Sequence, residues 1–243
     1  MEIARGYFNH LQTKMQEVLD HELPNIEAAA TLAANSCLNG GRIYVFGTGH
    51  SHLIAEEFYI RAGGLALVRA ILPPELLLDQ MPLKSTHYER LEGIASVLLN
   101  LYKVEPKDTL IVISNSGRNA VPVEMCLESK KQGTSVIAIT SMQHSSSCSS
   151  RHSSGKKMYE IADVTIDNCA EIGDASFYVE GFDIPIGPTS DAVGIAIAQA
   201  ITCSIVKKLL DAGMEPPVFR SANVDGGDAF NAHLYETHFG YWK

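Results

Sequence analysis

Apolar residues recur along the start of the chain at helical spacing. Ile3, Tyr7, Leu11, Met15 and Val18 fall on one face, so the first ~20 residues read as a helix with one buried stripe. A second helix follows Pro24 and is expected to stop at Gly40 and Gly41, because glycine takes the left-handed conformation that closes a helix. Beyond that point the period changes. Short β-branched runs alternate with helical stretches, placing strands at residues 43–46, 65–68, 109–113, 135–139 and 164–166. The runs IYVF, TLIVI and SVIAI are continuously apolar, the pattern of strands buried on both faces. This grammar predicts an α/β fold, a parallel sheet with helices on each side. A last long helix is expected over about residues 190–210, where Val193, Ile197, Ile201 and Ile205 repeat every fourth position. Two stretches lack any such period. Residues 141–156, SMQHSSSCSSRHSSGK, read as a long serine-rich loop, and the tail after Gly213 offers turn residues without a repeat.

Composition narrows the partners. A chain of 243 residues, 46% hydrophobic and 19% charged, is large enough to build a core without disulfides or a structural metal. Its formal net charge of -9 argues against nucleic acid, whose binding rests on Lys and Arg neutralising phosphates. A small anion remains compatible, since backbone N–H groups and hydroxyls at helix starts leave no trace in net charge. The five cysteines are odd in number and contain no C-x-x-C pair, which fits a reducing, cytoplasmic compartment. The opening MEIARGYFNHLQTKMQEVLDHE lacks the apolar core of a signal peptide. AVGIAIAQAITCSIV, interrupted by Gln199, Thr202 and Ser204, falls short of the ~20 apolar residues a membrane helix needs, so no membrane partner is expected.

The candidate chemistry lies in two polar loops. The first strand runs into GTGHSH, residues 47–52, and the third into SNSGRN, residues 114–119, each followed by a helix. In a parallel sheet ordered 2-1-3-4-5, ligands bind beyond the carboxyl ends of strands one and three, where the strand order reverses. Gly47, Gly49 and Gly117 let backbone approach a ligand closely, and Thr48, Ser51, Ser114 and Ser116 supply neutral hydroxyl donors. With the N–H groups of the following helices, this makes an anion cradle without a lysine. Nucleotide sites fit poorly: His52 stands where the dinucleotide fingerprint wants glycine or alanine, and no G-x-x-x-x-G-K-[ST] loop is present.

FGTGHS, ISNSGRN and the strand end AITS together resemble the sugar isomerase (SIS) domain of phosphosugar isomerases, phosphosugar-binding regulators and N-acetylmuramic acid 6-phosphate etherases. SRHSSGK, Asp167–Asn168 and SANVDGGDAFN are similar to a bacterial SIS subgroup related to phosphoheptose isomerase. The resemblance implies a flavodoxin-like, five-stranded sheet in the order 2-1-3-4-5, and a homodimer or higher homo-oligomer. It implies phosphate contacts at Ser51, Ser114 and Ser116, with Thr140 at the AITS strand end. Asn119 is a departure, standing where the family usually has Thr or Ser. The expected organisation is a helical extension over residues 1–29, an SIS domain over 30–213, and a tail over 214–243 packed on the same domain.

Interconverting an aldose and a ketose phosphate needs a base that moves a proton between neighbouring carbons and an acid that helps open the ring. Glu56 and Glu57 lie about one turn into the helix after the first loop, and Glu57 is placed nearer the buried edge. His50 and His52 flank Ser51, and His152 lies in the serine-rich segment; all three are further candidates. Each of these carboxylates and imidazoles also has a bland reading as solvated surface. Phosphoheptose isomerases use zinc. Aligned on their first loop, this chain places Glu57 and Arg61 at two ligand positions, and arginine cannot ligate zinc. Residues 190–210 contain no histidine, so that zinc site is not expected, while His50 and His52 leave another mode of metal binding open; no cofactor is expected. The leading expectation is a sugar-phosphate isomerase or related lyase acting by proton abstraction; the alternative is a non-catalytic phosphosugar sensor.

Overall fold

A computed structural model describes residues 1–79 and 81–240. Helices α1 (Glu2–His21) and α2 (Leu23–Leu38) lead the chain, with Pro24 in the first turn of α2, where its missing N–H costs nothing. Then follow β1 (Ile43–Gly47), α3 (Ser51–Phe58), β2 (Val68–Ile71), α4 (Lys84–Tyr88), α5 (Ile94–Tyr102) and β3 (Thr109–Ile113). The second half runs through α6 (Ala120–Gln132), β4 (Ser135–Thr140), α7 (Met142–Ser147) and β5 (Val164–Asp167). It ends with β6 (Ala175–Val179), β7 (Phe182–Pro188), α8 (Ser190–Asp211) and α9 (Gly227–His238).

Strands β1 to β5 form one parallel sheet in the order β2-β1-β3-β4-β5, as expected. Alternate residues of each strand feed opposite faces. Ile43, Val45, Ile111, Ile113, Ile137 and Ile139 pack with α2, α3 and α8 on one side. Tyr44, Phe46, Leu110, Val112, Val136 and Ala138 pack with α5 and α6 on the other. Every residue of β1 and β3 is buried, which is why their sequences show no polar alternation. By length and composition α8 would pass as a membrane-crossing helix. Its Val193, Ile197, Ile201, Ile205 and Leu209 instead belong to the core over the sheet.

Four expectations need correction. The second strand begins at Val68, three residues later than the apolar pattern placed it. Leu65 and Ala66 are buried for another reason: the tail crosses them, with Leu65 bridged antiparallel to Val218 and Ala66 N–H donating to Pro217 O at 2.8 Å. The serine-rich stretch is not all loop. Its first part is α7, started by Ser141 Oγ, which accepts from His144 N–H at 3.0 Å. The antiparallel pair β6–β7 was not foreseen, because Gly181 turns two short strands that stay largely exposed. Finally, the tail contains α9, whose Leu234 packs with Ala66 and Phe219; its last residues, 241–243, lie outside the described residues.

Candidate functional site

Gly47 and Ile113 are register partners at the ends of β1 and β3, so the two polar loops leave the sheet side by side. The chain turns to β2 on one side and to β3 on the other, which makes this the topological switch point.

In the first loop, a Cβ on Gly47 would lie 2.3 Å from Ser51 O. The absent side chain therefore admits the first turn of α3 itself. Gly49 has φ +55, a left-handed value, and its N–H donates to Leu76 O at 2.9 Å. His52 is buried, with Nδ1–H directed at Gly49 O (2.5 Å) and Nε2 3.7 Å from Glu56 Oε1, so it braces the loop. His50 is exposed. The Ser51 hydroxyl has no hydrogen-bond partner among the described residues.

The second loop is braced by the third. Ser114 Oγ accepts from Gly117 N–H at 3.3 Å, and Gly117 is left-handed with φ +57. A side chain there would meet Ser145 Oγ at 2.9 Å and Thr140 Oγ1 at 3.0 Å. Thr140 Oγ1 and Ser141 N–H both donate to Asn115 O, at 3.1 and 3.0 Å, and Asn168 Nδ2 reaches Asn115 Oδ1 at 3.1 Å. Thr140 and Asn168 thus shape the cradle. Ser116, like Ser51, has a hydroxyl without a partner among the described residues.

The residue that joins the loops escaped sequence reasoning. Glu89 sits just beyond α4 on the strap between β2 and α5, and its carboxylate accepts from Thr48 Oγ1 at 2.6 Å and from Asn119 Nδ2 at 2.7 Å. Its backbone carbonyl accepts from Val121 N–H at 2.9 Å, fixing the strap to the start of α6. Burial raises the Glu89 pKa, while the bonds from Thr48 and Asn119 act in the opposite sense. Asn119 Oδ1 in turn accepts from Arg151 Nη1 at 2.8 Å. The Asn119 amide is therefore committed to Glu89 and Arg151, which explains an amide where the resemblance led one to expect a hydroxyl. THYERLEG has the look of a solvated helix end, and nothing local in it signals a carboxylate turned inward between two loops.

The other candidates are placed differently. Glu57 is more buried than Glu56, with side-chain exposures of 17% and 50%, as the helix-face reading expected. It turns toward α8, where Gln199 Nε2 donates to Oε1 at 2.8 Å, and it pairs with Arg61. His152 contacts Ser154 Oγ at 2.8 Å and lies 3.8 Å from Glu92 Oε2; Glu92 also accepts from Ser153 N–H and Oγ, each at 2.7 Å. The segment after α7 is thus fastened to the strap. At the start of α8, Asp174 accepts from the N–H groups of Thr189 and Ser190 at 3.1 and 2.9 Å. Burial raises the pKa of the neighbouring Asp191, and the charges of His50 and His52 oppose that rise.

Among the described residues no three His, Cys, Asp or Glu side chains stand together as a metal requires, and the Arg61 and Gln199 partners of Glu57 do not fit the zinc site of phosphoheptose isomerases. A cavity of about 340 Å³ lies toward the opposite ends of the strands beside Arg42, Tyr102 and His238. Its Arg69 is occupied structurally by the carbonyls of Ala66, Val68 and His238 and by the Phe239 ring.

Comparison with known proteins agrees with this geometry. The SIS domain family model matches residues 6–141. UPF0309 protein BH3325 of Halalkalibacterium halodurans is 52% identical over 94% of this chain and 93% of its own length. UPF0309 protein Teth39_1980 of Thermoanaerobacter pseudethanolicus is 40% identical over 95% of each chain. The phosphoheptose isomerase of Neisseria gonorrhoeae superposes with a TM-score of 0.56 at 18% identity, over 85% of this chain and 98% of that one. That of Francisella tularensis gives 0.57 at 17% identity, over 85% and 97%. The fold is thus shared with these isomerases, and the chain belongs to the SIS domain family, alongside its UPF0309 relatives.

Proposed function

We propose that this chain binds a phosphorylated sugar between the β1 and β3 loops and moves a proton within it, as an aldose–ketose isomerase or a related lyase does. The observation that carries the proposal is Glu89, a half-buried carboxylate with a raised pKa, hydrogen-bonded to both loops at once. The phosphate is held by the open hydroxyls of Ser51 and Ser116, with Ser114 and the N–H groups at the start of α6. Glu89 then takes the proton from the carbon beside the carbonyl and returns it to the neighbouring carbon. A pKa raised toward the working pH suits a group that must both accept and release that proton. Thr48 and Asn119 orient the carboxylate, and His50, exposed on the same loop, assists ring opening.

The active unit is a homodimer or larger homo-oligomer. Ile3, Phe8, Leu19 and Leu23 on α1 and α2 and Tyr178, Phe182, Ile184 and Ile186 on β6–β7 all remain exposed. So much apolar surface on two nearby elements suits a second copy of the chain. Free thiols at Cys37, Cys126, Cys148, Cys169 and Cys203 support a reducing, cytoplasmic setting.

The test is to incubate purified protein with hexose, pentose, heptose and amino-sugar phosphates in deuterium oxide, following deuterium entry beside the carbonyl by NMR. Exchange with any of them is the expected result. A ligand at about 100 times its Kd adds ~2.7 kcal/mol of stability, so a thermal-shift screen reads binding separately. Binding without exchange would leave the sensor reading, and nicotinamide dinucleotides shifting the midpoint where no phosphosugar does would refute the proposal.

A further inference from the structure

Three arginines stand around the candidate site; Arg90 and Arg151 feel the charge of Glu89 without pairing with it, and Arg118 has no described carboxylate to answer it. Arg90, Arg118 and Arg151 form no ion pair with a described carboxylate. Arg151 gives its Nη1 proton to the neutral amide of Asn119 rather than to Glu89. Its backbone N–H donates to Arg118 O at 2.8 Å, which ties the two arginines to the same corner of the β3 loop. Arg118 Nη2 reaches only Ser149 Oγ, at 3.4 Å, and Arg118 Nε is buried with no hydrogen-bond partner.

Arg90 and Arg151 are exposed and keep their water, so the cost falls on Arg118, whose buried Nε calls for an acceptor. A buried guanidinium N–H without an acceptor loses its hydration with no return, and neighbouring like charges repel. The other two cations are close enough to be felt at Arg151, where partial burial and then the charges of Arg118 and Arg90 hold the pKa below the usual arginine value, with Glu89 opposing them. The chain as a whole carries a net charge of -9, so the cluster runs against its composition. A single phosphate does not account for it, because the cradle is made of hydroxyls and backbone N–H groups. A planar, forked donor pair matches a carboxylate or a phosphoryl group.

We infer that the sugar phosphate accepted here carries a second anionic group, a carboxylate or a phosphoryl, that docks against Arg118 and Arg151. This inference rests on the proposed function and narrows its substrate class. The test compares three open or bis-anionic probes by calorimetry: sorbitol 6-phosphate, 6-phosphogluconate and fructose 1,6-bisphosphate, with inorganic phosphate as the probe of the cradle alone. The 6-phosphogluconate arm reports a carboxylate and the bisphosphate arm a phosphoryl. At least one of these two should bind ~10-fold or more tightly than sorbitol 6-phosphate, the minimum for a charge-assisted pair. Arg118→Gln and Arg151→Gln should each erase that preference, and Arg118→Gln, which gives up only a 3.4 Å contact to Ser149, should keep the affinity for inorganic phosphate and the thermal midpoint. Equal affinity for all three sugars, or a preference that survives both substitutions, overturns the inference and leaves the proposed function intact. Failure of all four probes to bind overturns the proposed function and this inference together.

Discussion

Replacing Glu89 by glutamine separates chemistry from scaffold more cleanly than any other single change. Glutamine keeps the volume and the two contacts, since its amide oxygen accepts from Asn119 Nδ2 and its amide nitrogen donates to Thr48 Oγ1, now 2.7 and 2.6 Å from the carboxylate. It cannot take a proton. Turnover should fall by ~10²–10⁴-fold, equivalent to about 3–5 kcal/mol of transition-state stabilisation. Stability should move the other way. The Glu89 pKa is raised above its ordinary 4.5, so the folded chain holds the proton to higher pH than the unfolded one. The stabilisation from that proton is complete below the ordinary value and is lost as pH rises through the raised one. Glu89→Gln, neutral throughout, has no such loss, so at neutral pH it should melt at or above the parent, the two curves converging in acid. Circular dichroism melts from pH 4 upward, beside the deuterium-exchange assay, read both quantities. Parental turnover in the variant refutes the assignment of the base. Lost activity accompanied by a lower melting point at neutral pH shows that Glu89 serves the scaffold instead.

Ser116→Ala should weaken phosphate binding tenfold or more without changing the melting point, at about 1.5–3 kcal/mol per charge-assisted bond, measured by calorimetry with inorganic phosphate. Glu57→Gln, whose carboxylate is already held by Arg61 and Gln199, should lower turnover by less than about tenfold; a loss matching that of Glu89→Gln would move the base to α3. Gly47→Ala forces a methyl against Ser51 O and should cost ~1–3 kcal/mol in urea melts along with phosphate affinity; unchanged stability would contradict the contact. Light scattering should show a dimer or larger species at micromolar concentration, and Ile184→Asp, on the exposed face of β7, should shift it toward monomer.

The sheet order and both loops were legible because their signals are local. Fully buried strands are continuous apolar runs, and each loop follows its strand directly. Glu89 was not legible, since its role comes from being carried by a strap across two loops far from it in sequence, and a glutamate in THYERLEG looks like any surface residue. Gly47 has a further reason to be glycine: a glycine at a strand end signals a close approach, and here the next helix makes one. The shift of the second strand has a similar origin. Leu65 and Ala66 are apolar because the tail covers them, and hydropathy alone does not distinguish that cover from a sheet.

That crossing also sets an order of events in folding. β2 is an edge strand, and the segment leading into it is closed by Pro217, Val218 and Phe219, about 150 residues further along the chain. Contacts so far apart in sequence form late, because a long loop must close before they repay its entropy. Until those contacts close, the segment before β2 is uncovered, and an open strand border is a template for unwanted pairing. The polypeptide is therefore most exposed to association with other nascent chains after β5 has formed and before residues 217–219 have left the ribosome.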